Sequence, residues 1–297
     1  MTPNTNERRT IYNGRLLPAI LVAPQLAITI IFFLIPTAGA LIQSTQATDA
    51  FGLNTVFVGL ANFTALLGSS TYHEAIIRTV LFCVAVTFLV ISSGLVLACY
   101  ANRAIKGRMI YRILIICPYA IAPALASVLF VFMFQPQVGL FSNLLAKMGI
   151  NFNYATNGWQ ALLLVIVVTS WQQVSYNFIF YLAALQSVPV SIIEAAKLDG
   201  AQGFYRFRTM VWPMLKPTTI FLLVTNIVYT AFNTFDVIFA LTGGGPGTAT
   251  NMLVVKIYRD GIINLDLGGS AAQSVLLMVA IIAITSVQFR LTRKRIT

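Results

Sequence analysis

Six long apolar stretches alternate with short polar segments along this chain of 297 residues. They cover approximately residues 16–40, 75–101, 110–134, 161–185, 218–241 and 268–289. Each is long enough for an α-helix to cross about 30 Å of hydrocarbon, which takes about 20 residues. The pattern predicts an all-α integral membrane protein with six transmembrane helices over residues 16–290, between short polar segments at 1–15 and 291–297.

The first stretch permits a second interpretation, because the small residues Ala38-Gly39-Ala40 resemble a signal-peptide cleavage site. The apolar core of a signal peptide is about 7–15 residues long, and this stretch is much longer. We therefore expect an uncleaved first helix.

Composition excludes an ordinary soluble domain. The chain is 58% hydrophobic and only 9% charged, whereas about a quarter of the residues of a soluble domain carry a charge. The net charge of +11 would suggest nucleic acid in a soluble protein, but the basic residues here lie between apolar stretches, where they set orientation. Cys83, Cys99 and Cys117 all fall inside apolar stretches without disulfide or metal-ligand spacing, so we interpret them as packing residues.

Lysine and arginine are distributed unequally between the two sides of the predicted helices. If the N-terminus is cytoplasmic, fifteen of the 19 basic residues lie on that side, and only Arg78, Lys147, Lys256 and Arg259 lie outside. The positive-inside rule favours this orientation. It predicts that both termini and the polar segment 189–213 are cytoplasmic.

Residues that carry enzyme chemistry are scarce. The single histidine, His73, has no nucleophile or acid arranged around it in the sequence, the eight acidic residues are scattered mostly over loops, and no GxxxxGK[ST] phosphate-binding loop occurs. We therefore expect no catalytic site, no metal site and no cofactor. Without a phosphate-binding loop this chain cannot itself bind and hydrolyse ATP in the usual way, so any energy that its activity needs would come from a partner or from an ion gradient.

Polar side chains inside the predicted helices are the candidates for a solute pathway. Asn226, Tyr229, Asn233 and Asp236 recur at three- and four-residue spacing, which predicts one polar stripe on the fifth helix. A second, shorter cluster comprises Gln173, Tyr176 and Asn177 in the fourth. Such residues either line a pathway or hydrogen-bond neighbouring helices together, and the sequence leaves both open.

Proline and glycine predict local features of two helices. Pro118 and Pro123 each remove a backbone hydrogen bond from the third helix, so we expect a kink there, either a moving element or a fixed bend. The small residues from Gly268 to Ala272 open the sixth helix and predict close packing.

The polar segment 189–213 predicts a compact cytoplasmic element. Ser191 and Glu194 have the spacing of a capping box, so we expect a helix to begin at Ser191. Gly200 suits the left-handed position that closes a helix. A second amphipathic piece, from Phe204 to Trp212, then leads to Pro213.

The same segment resembles the EAA loop of ABC importer inner-membrane permeases of the sugar type, which includes the maltose and glycerol-phosphate importers. The matching residues are Glu194, Ala195, Ala196, Asp199, Gly200, Ala201 and Pro213, with Met210 and Trp212 replacing the usual Ile and Leu. The resemblance implies the type I importer permease fold and a coupling helix that docks on an ATPase. It also implies three partners, namely a second homologous permease, two copies of the ATPase and an extracytoplasmic solute-binding protein.

Further stretches carry the resemblance along the chain. Residues 57–63 resemble an FVGL-x-NF segment, with Ala61 where Asp is usual, and residues 241–246 resemble the LTGGGP turn of sugar importers, whose glycines we expect to free the backbone at the outer mouth. Residues 176–189 and 271–278 favour the glycerol-phosphate branch. Maltose or another sugar remains open as the solute, and an ion-coupled secondary transporter and an intramembrane enzyme are the rival classes.

Overall fold

The computed structural model describes residues 16–49, 54–103, 107–198, 200 and 203–293. Within these residues five helices are long and apolar enough to cross a membrane, and a bent helix pair supplies a sixth span. The five-to-six-span architecture agrees with the six predicted helices.

The first half of the chain contains three spans. The first is α1 (Leu16–Thr29), a π-helical turn (Ile30–Leu34) and α2 (Ile35–Gln43), and the second is α4 (Ser70–Ala101). Between them lie β1 (Gln46–Thr48), β2 (Thr55–Phe57) and α3 (Ala61–Leu67). The third span is α5 (Arg108–Ile116), a 3₁₀ turn (Cys117–Ala120) and α6 (Pro123–Phe134), and α7 (Leu140–Lys147) follows it.

The second half begins with the fourth span, α8 (Gly158–Gln186), and the short helix α9 (Val190–Leu198). The fifth span joins α10 (Gly203–Arg206), a π-helical segment (Phe207–Val211) and α11 (Trp212–Phe232). Then come α12 (Phe235–Thr242), α13 (Leu253–Tyr258) with a π-helical turn (Arg259–Ile263), and the sixth span, α14 (Leu267–Arg293).

The second and fourth spans form the centre of the bundle. One apolar cluster joins the N-terminal halves of both spans with α12 and α13, around Phe82, Val86 and Val165. Another joins their C-terminal halves with the fifth span, around Ala98, Phe178 and Leu215. Gly94 makes the close approach possible, since a Cβ added there would lie only 2.7 Å from the Cβ of Asn177.

The β-hairpin locks the first span to the sixth. Its strands pair antiparallel, with Ala47 opposite Val56. The side-chain amide of Asn62 donates to the carbonyls of Ser44 and Gln46, both at 2.9 Å. A Cβ on Gly268 would lie 2.2 Å from the Gln46 carbonyl oxygen. The predicted close packing at Gly268 is therefore confirmed, and its neighbour is the hairpin edge rather than a helix.

Candidate functional site

The third span is broken near its middle. Its two parts, Arg108–Ala120 and Pro123–Phe134, meet at 98°. The fourth span supplies donors to the carbonyls that the break leaves free: Ser175 Oγ donates to the Ile115 carbonyl at 2.6 Å, and Gln172 Nε2 donates to the Ile121 carbonyl at 3.2 Å. Non-helical backbone is tolerated at membrane depth where protein satisfies it. The kink expected from Pro118 and Pro123 is confirmed, as a much sharper break than a proline bend.

The fifth span also ends inside the stretch that the sequence predicts to be one helix. The helix stops at Phe232, with Asn233 as its C-terminal cap, and α12 begins only at Phe235. Side chains of Asn and Thr compete with the backbone for hydrogen bonds and so favour helix ends. The prediction of one continuous stripe is therefore wrong, because Asp236 belongs to a different helix from Asn226 and Tyr229.

Three amide side chains from the two predicted clusters bind each other. Asn226 Nδ2 donates to Asn177 Oδ1 at 2.8 Å, and Asn177 Nδ2 donates back to Asn226 Oδ1 at 3.1 Å. Gln173 Nε2 donates to the same Asn226 oxygen at 3.2 Å. Asn177 and Asn226 are 0% exposed and Gln173 is 4% exposed. In this conformation their hydrogen-bonding capacity joins the fourth span to the fifth, and a solute has no access to them.

The other predicted pathway residues lie nearer the surface. Asn233 and Asp236 are exposed, and Tyr176 and Tyr229 are partly buried. The centroid of the Tyr176 ring lies 6.1 Å from the centroid of the Tyr119 ring. These residues border the breaks in both spans.

Sequence reasoning missed the aromatic members of this surface. Tyr119 stands at the third-span break and is half-exposed. The Phe180 ring packs between two others: its centroid lies 4.7 Å from that of Tyr176 and 5.3 Å from that of Phe221. The signal was the i, i+4 aromatic spacing of Tyr176 and Phe180. It was hidden by the many other aromatic residues in the spans.

The glycine turn at residues 241–246 is held in place. Arg259 Nη2 donates to the Gly243 carbonyl at 2.5 Å, and Thr250 Oγ1 donates to the Gly245 carbonyl at 2.9 Å. Gly243 and Gly244 have φ of 57° and 91°, angles that glycine adopts readily. The expectation that the glycines free the backbone is wrong, because they permit a tight turn that side chains then fasten.

The segment predicted to couple to an ATPase forms helix α9, which begins at Val190. Ser191 therefore lies inside the first turn, and the predicted capping box is wrong, because the N-cap position is Pro189, two residues earlier. Pro189 precedes the helix, and its carbonyl accepts from Ile192 N at 3.2 Å. Gly200 has φ +77°, which confirms the left-handed position.

Side chains of α9 point in two directions. Glu194 and Leu198 are exposed, the latter by 90%, whereas Ala196 is buried. The backbone of Ala195 is helical, but Asp199 and Ala201 lie outside the described residues. Phe204 and Tyr205 are also largely exposed. We call these four exposed residues, Glu194, Leu198, Phe204 and Tyr205, the α9 surface.

The sequence predicts that the second amphipathic piece ends at Pro213, but the helix continues past this residue. It runs from Gly203 to Phe232, with Pro213 in the first turn of α11. A proline inside a helix lacks the N–H of an i→i−4 bond. The π-helical segment before it absorbs the mismatch, since the Trp212 N–H bonds to the Phe207 carbonyl, five residues back.

Comparison with known proteins identifies the family. Residues 90–297 match the family described as "binding-protein-dependent transport system inner membrane component". The sn-glycerol-3-phosphate transport system permease protein UgpA of Agrobacterium fabrum is 50% identical, covering 96% of this chain and 98% of the relative. The protein of the same name from Rhizobium meliloti is 47% identical, covering 97% and 99%.

Solved structures show the same fold. A bacterial ABC transporter involved in the import of the acidic polysaccharide alginate matches with a TM-score of 0.81 and 23% identity, covering 94% of this chain and 95% of that chain. The resemblance that the EAA-like segment carries is therefore confirmed. This chain belongs to the family of inner membrane components of binding-protein-dependent transport systems, the permeases of ABC transporters.

Proposed function

We propose that this chain forms half of the membrane pathway of an ABC importer for sn-glycerol 3-phosphate. Glycerophosphodiesters are further proposed solutes of the same importer. The similarity to two glycerol-phosphate permeases over nearly the whole of both chains carries the proposal. The second half of the pathway comes from a homologous permease. ATP hydrolysis is performed by two copies of a partner ATPase, and a solute-binding protein delivers the solute from outside.

The α9 surface is the proposed docking site for the ATPase. Leu198, Phe204 and Tyr205 expose apolar side chains beside the charged Glu194. Apolar and aromatic groups rimmed by polar ones are typical of interface centres. Ala196 is buried, and α9 packs against the segment Phe207–Val211 at the start of the fifth span. Movement of the ATPase would therefore pass through this contact to the fifth span.

The proposed pathway follows the polar side chains beside the two breaks that are exposed or only partly buried. Tyr176, Tyr229, Asn233 and Asp236 offer hydroxyl, amide and carboxylate groups to a polyhydroxy solute. Gln173, Asn177 and Asn226 lie behind them and hold the fourth and fifth spans together. We therefore assign the three buried amides a supporting role, and the four accessible residues direct contact with the solute.

The proposed orientation places residues 1–15, the segment 189–213 and residues 291–297 in the cytoplasm. The distribution of lysine and arginine supports it. The ATPase and the α9 surface then lie on the same side of the membrane.

Uptake by membrane vesicles tests the function. Vesicles that contain the complete importer and its binding protein should accumulate labelled sn-glycerol 3-phosphate only with internal ATP. Excess maltose should not compete. Uptake that stops when the proton or sodium gradient is collapsed, with ATP still present, would instead indicate an ion-coupled carrier. Competition by maltose would move the solute assignment to the sugar branch.

A further inference from the structure

Arg112 carries an unpaired, buried hydrogen-bonding edge. Its Nε and Nη2 are both shielded from solvent and have no hydrogen-bond partner. These are the two nitrogens of a guanidinium whose N–H bonds point in parallel, the geometry that holds two oxygens of one carboxylate or phosphate. Arg112 as a whole is only partly buried, so the cost is that of two buried N–H donors without acceptors. No acceptor among the described residues is hydrogen-bonded to this edge, which is therefore free to bind an oxyanion.

The neighbouring sequence offers no carboxylate. Between Glu74 and Glu194 the chain has no aspartate or glutamate at all. The same region is basic, because Arg103, Lys106, Arg108 and Arg112 fall within ten residues. A phosphate would enter this region with favourable electrostatics, whereas an acidic side chain would have to come from a distant part of this chain or from a partner.

The position of Arg112 connects it with the proposed pathway. It lies on α5, one turn before Ile115, whose carbonyl accepts from Ser175. The start of the break at Cys117 is five residues further, about 7 Å along the helix axis. Tyr119, seven residues after Arg112, stands in the break itself. The centroid of its ring lies 6.1 Å from that of Tyr176, which follows Ser175 in the fourth span.

We propose that the Nε–Nη2 edge of Arg112 binds a phosphate group on the half of the third span that leads to the cytoplasm. The assignment rests on the proposed function, in which the solute is a phosphate ester. In the conformation described here the edge is covered, so an anion reaches it only when the helices around α5 separate. Arg112 then receives the phosphate after it passes the break, and the site closes when the solute has left.

Reconstituted transport tests the assignment. The complete importer, in liposomes with its binding protein, should take up sn-glycerol 3-phosphate about tenfold more slowly with Arg112→Gln, because charge-assisted bonds are the strong ones. Arg112→Lys should recover only part of the rate, since lysine keeps the charge but lacks the two parallel N–H donors. Arg108→Gln, which removes an exposed charge one turn away, should stay within about twofold.

Inhibition of uptake by inorganic phosphate distinguishes phosphate binding by Arg112 from a purely structural role. Phosphate on the cytoplasmic side should inhibit uptake by the wild-type importer more strongly than uptake by Arg112→Gln. Bilayers of galactolipid, which contain no phosphate, separate two sources: a defect that persists there assigns the phosphate to the solute, and a defect seen only in phospholipid assigns it to a lipid headgroup.

Two results separate this inference from the proposed function. If the wild-type importer carries no sn-glycerol 3-phosphate, the proposed function fails. The Arg112 assignment is then tested separately: inorganic phosphate should inhibit the ATPase activity of the wild-type importer more strongly than that of Arg112→Gln. If Arg112→Gln lowers the amount of assembled complex while uptake per complex and phosphate inhibition stay unchanged, the acceptor is a protein carboxylate and the inference is overturned.

Discussion

Replacement of Gly94 by alanine should separate the two central spans. The added Cβ would lie 2.7 Å from Asn177 Cβ and 3.2 Å from both Asn177 C and Phe178 N. Carbon atoms pack at about 3.5–4.0 Å, so the fourth span has to retreat by roughly 1 Å. Two of the three close atoms are backbone atoms, which no rotamer change can move away.

The retreat has two costs. Overpacking of a well-packed interior costs about 1–3 kcal/mol. The shift also displaces Asn177 from Asn226, and bonds of 2.8, 3.1 and 3.2 Å lengthened by about 1 Å no longer count as hydrogen bonds. At about 0.6 kcal/mol for each interhelical bond, the three contribute about 2 kcal/mol. The expected loss of unfolding free energy is therefore about 3–5 kcal/mol.

Unfolding in mixed micelles, titrated with sodium dodecyl sulfate, measures this loss. Gly39→Ala is the matched control, because Gly39 is also a glycine in a spanning helix but a Cβ there meets nothing within 4 Å. A double-mutant cycle with Asn226→Ala isolates the amide share: in the Gly94→Ala background, Asn226→Ala should cost less than it does alone. Equal unfolding free energies for the two glycine variants would refute the packing argument.

Three further predictions concern coupling, pathway and orientation. Gly200→Val should abolish transport and weaken ATPase association while the protein still inserts, because valine is strained at φ +77°; Gly200→Asn, which tolerates that angle, should retain transport, and unchanged vesicle uptake by Gly200→Val would contradict the assignment. Asn226→Ala should reduce the yield of assembled complex, whereas Asn233→Ala should slow transport per complex severalfold at normal yield. Slower uptake per complex with Asn226→Ala and a lower yield with Asn233→Ala would exchange the roles of the two residues. Reporters fused after Arg15, Arg108, Lys216 or Thr297 should be cytoplasmic and those in residues 45–74, near Lys147 or near Asp260 outside; a mature N-terminus at Leu41 would show that the first span is cleaved.

The spans could be predicted from the sequence because an apolar run of fixed length has one stable solution in lipid. The left-handed Gly200 could be predicted because glycine reaches that conformation without strain. Both signals are local, and neither depends on which part of the chain lies nearby.

The remaining features depend on contacts between distant residues. The predicted stripe on the fifth span assumes a regular helix, which ends at Asn233. The accessibility of Asn226 was undecided because its partner, Asn177, lies 49 residues away. Likewise, Pro118 and Pro123 predict a bend, but the angle of 98° requires hydrogen-bond donors for the freed carbonyls, and the fourth span provides them.

The break in the third span also imposes an order on biosynthesis. Its free carbonyls at Ile121 and Ile115 receive their donors from Gln172 and Ser175, which follow 51 and 60 residues later. A ribosome adds about 5–20 residues per second, so the carbonyls wait about 3–12 s for their partners to be made. Each of the helices α5 and α6 is shorter than the hydrocarbon is thick. During that interval they contain no hydrogen-bond donor for the two carbonyls at the bend. The third and fourth spans therefore become membrane-stable as a pair, and the insertion machinery has to keep the earlier one sheltered until the later one arrives.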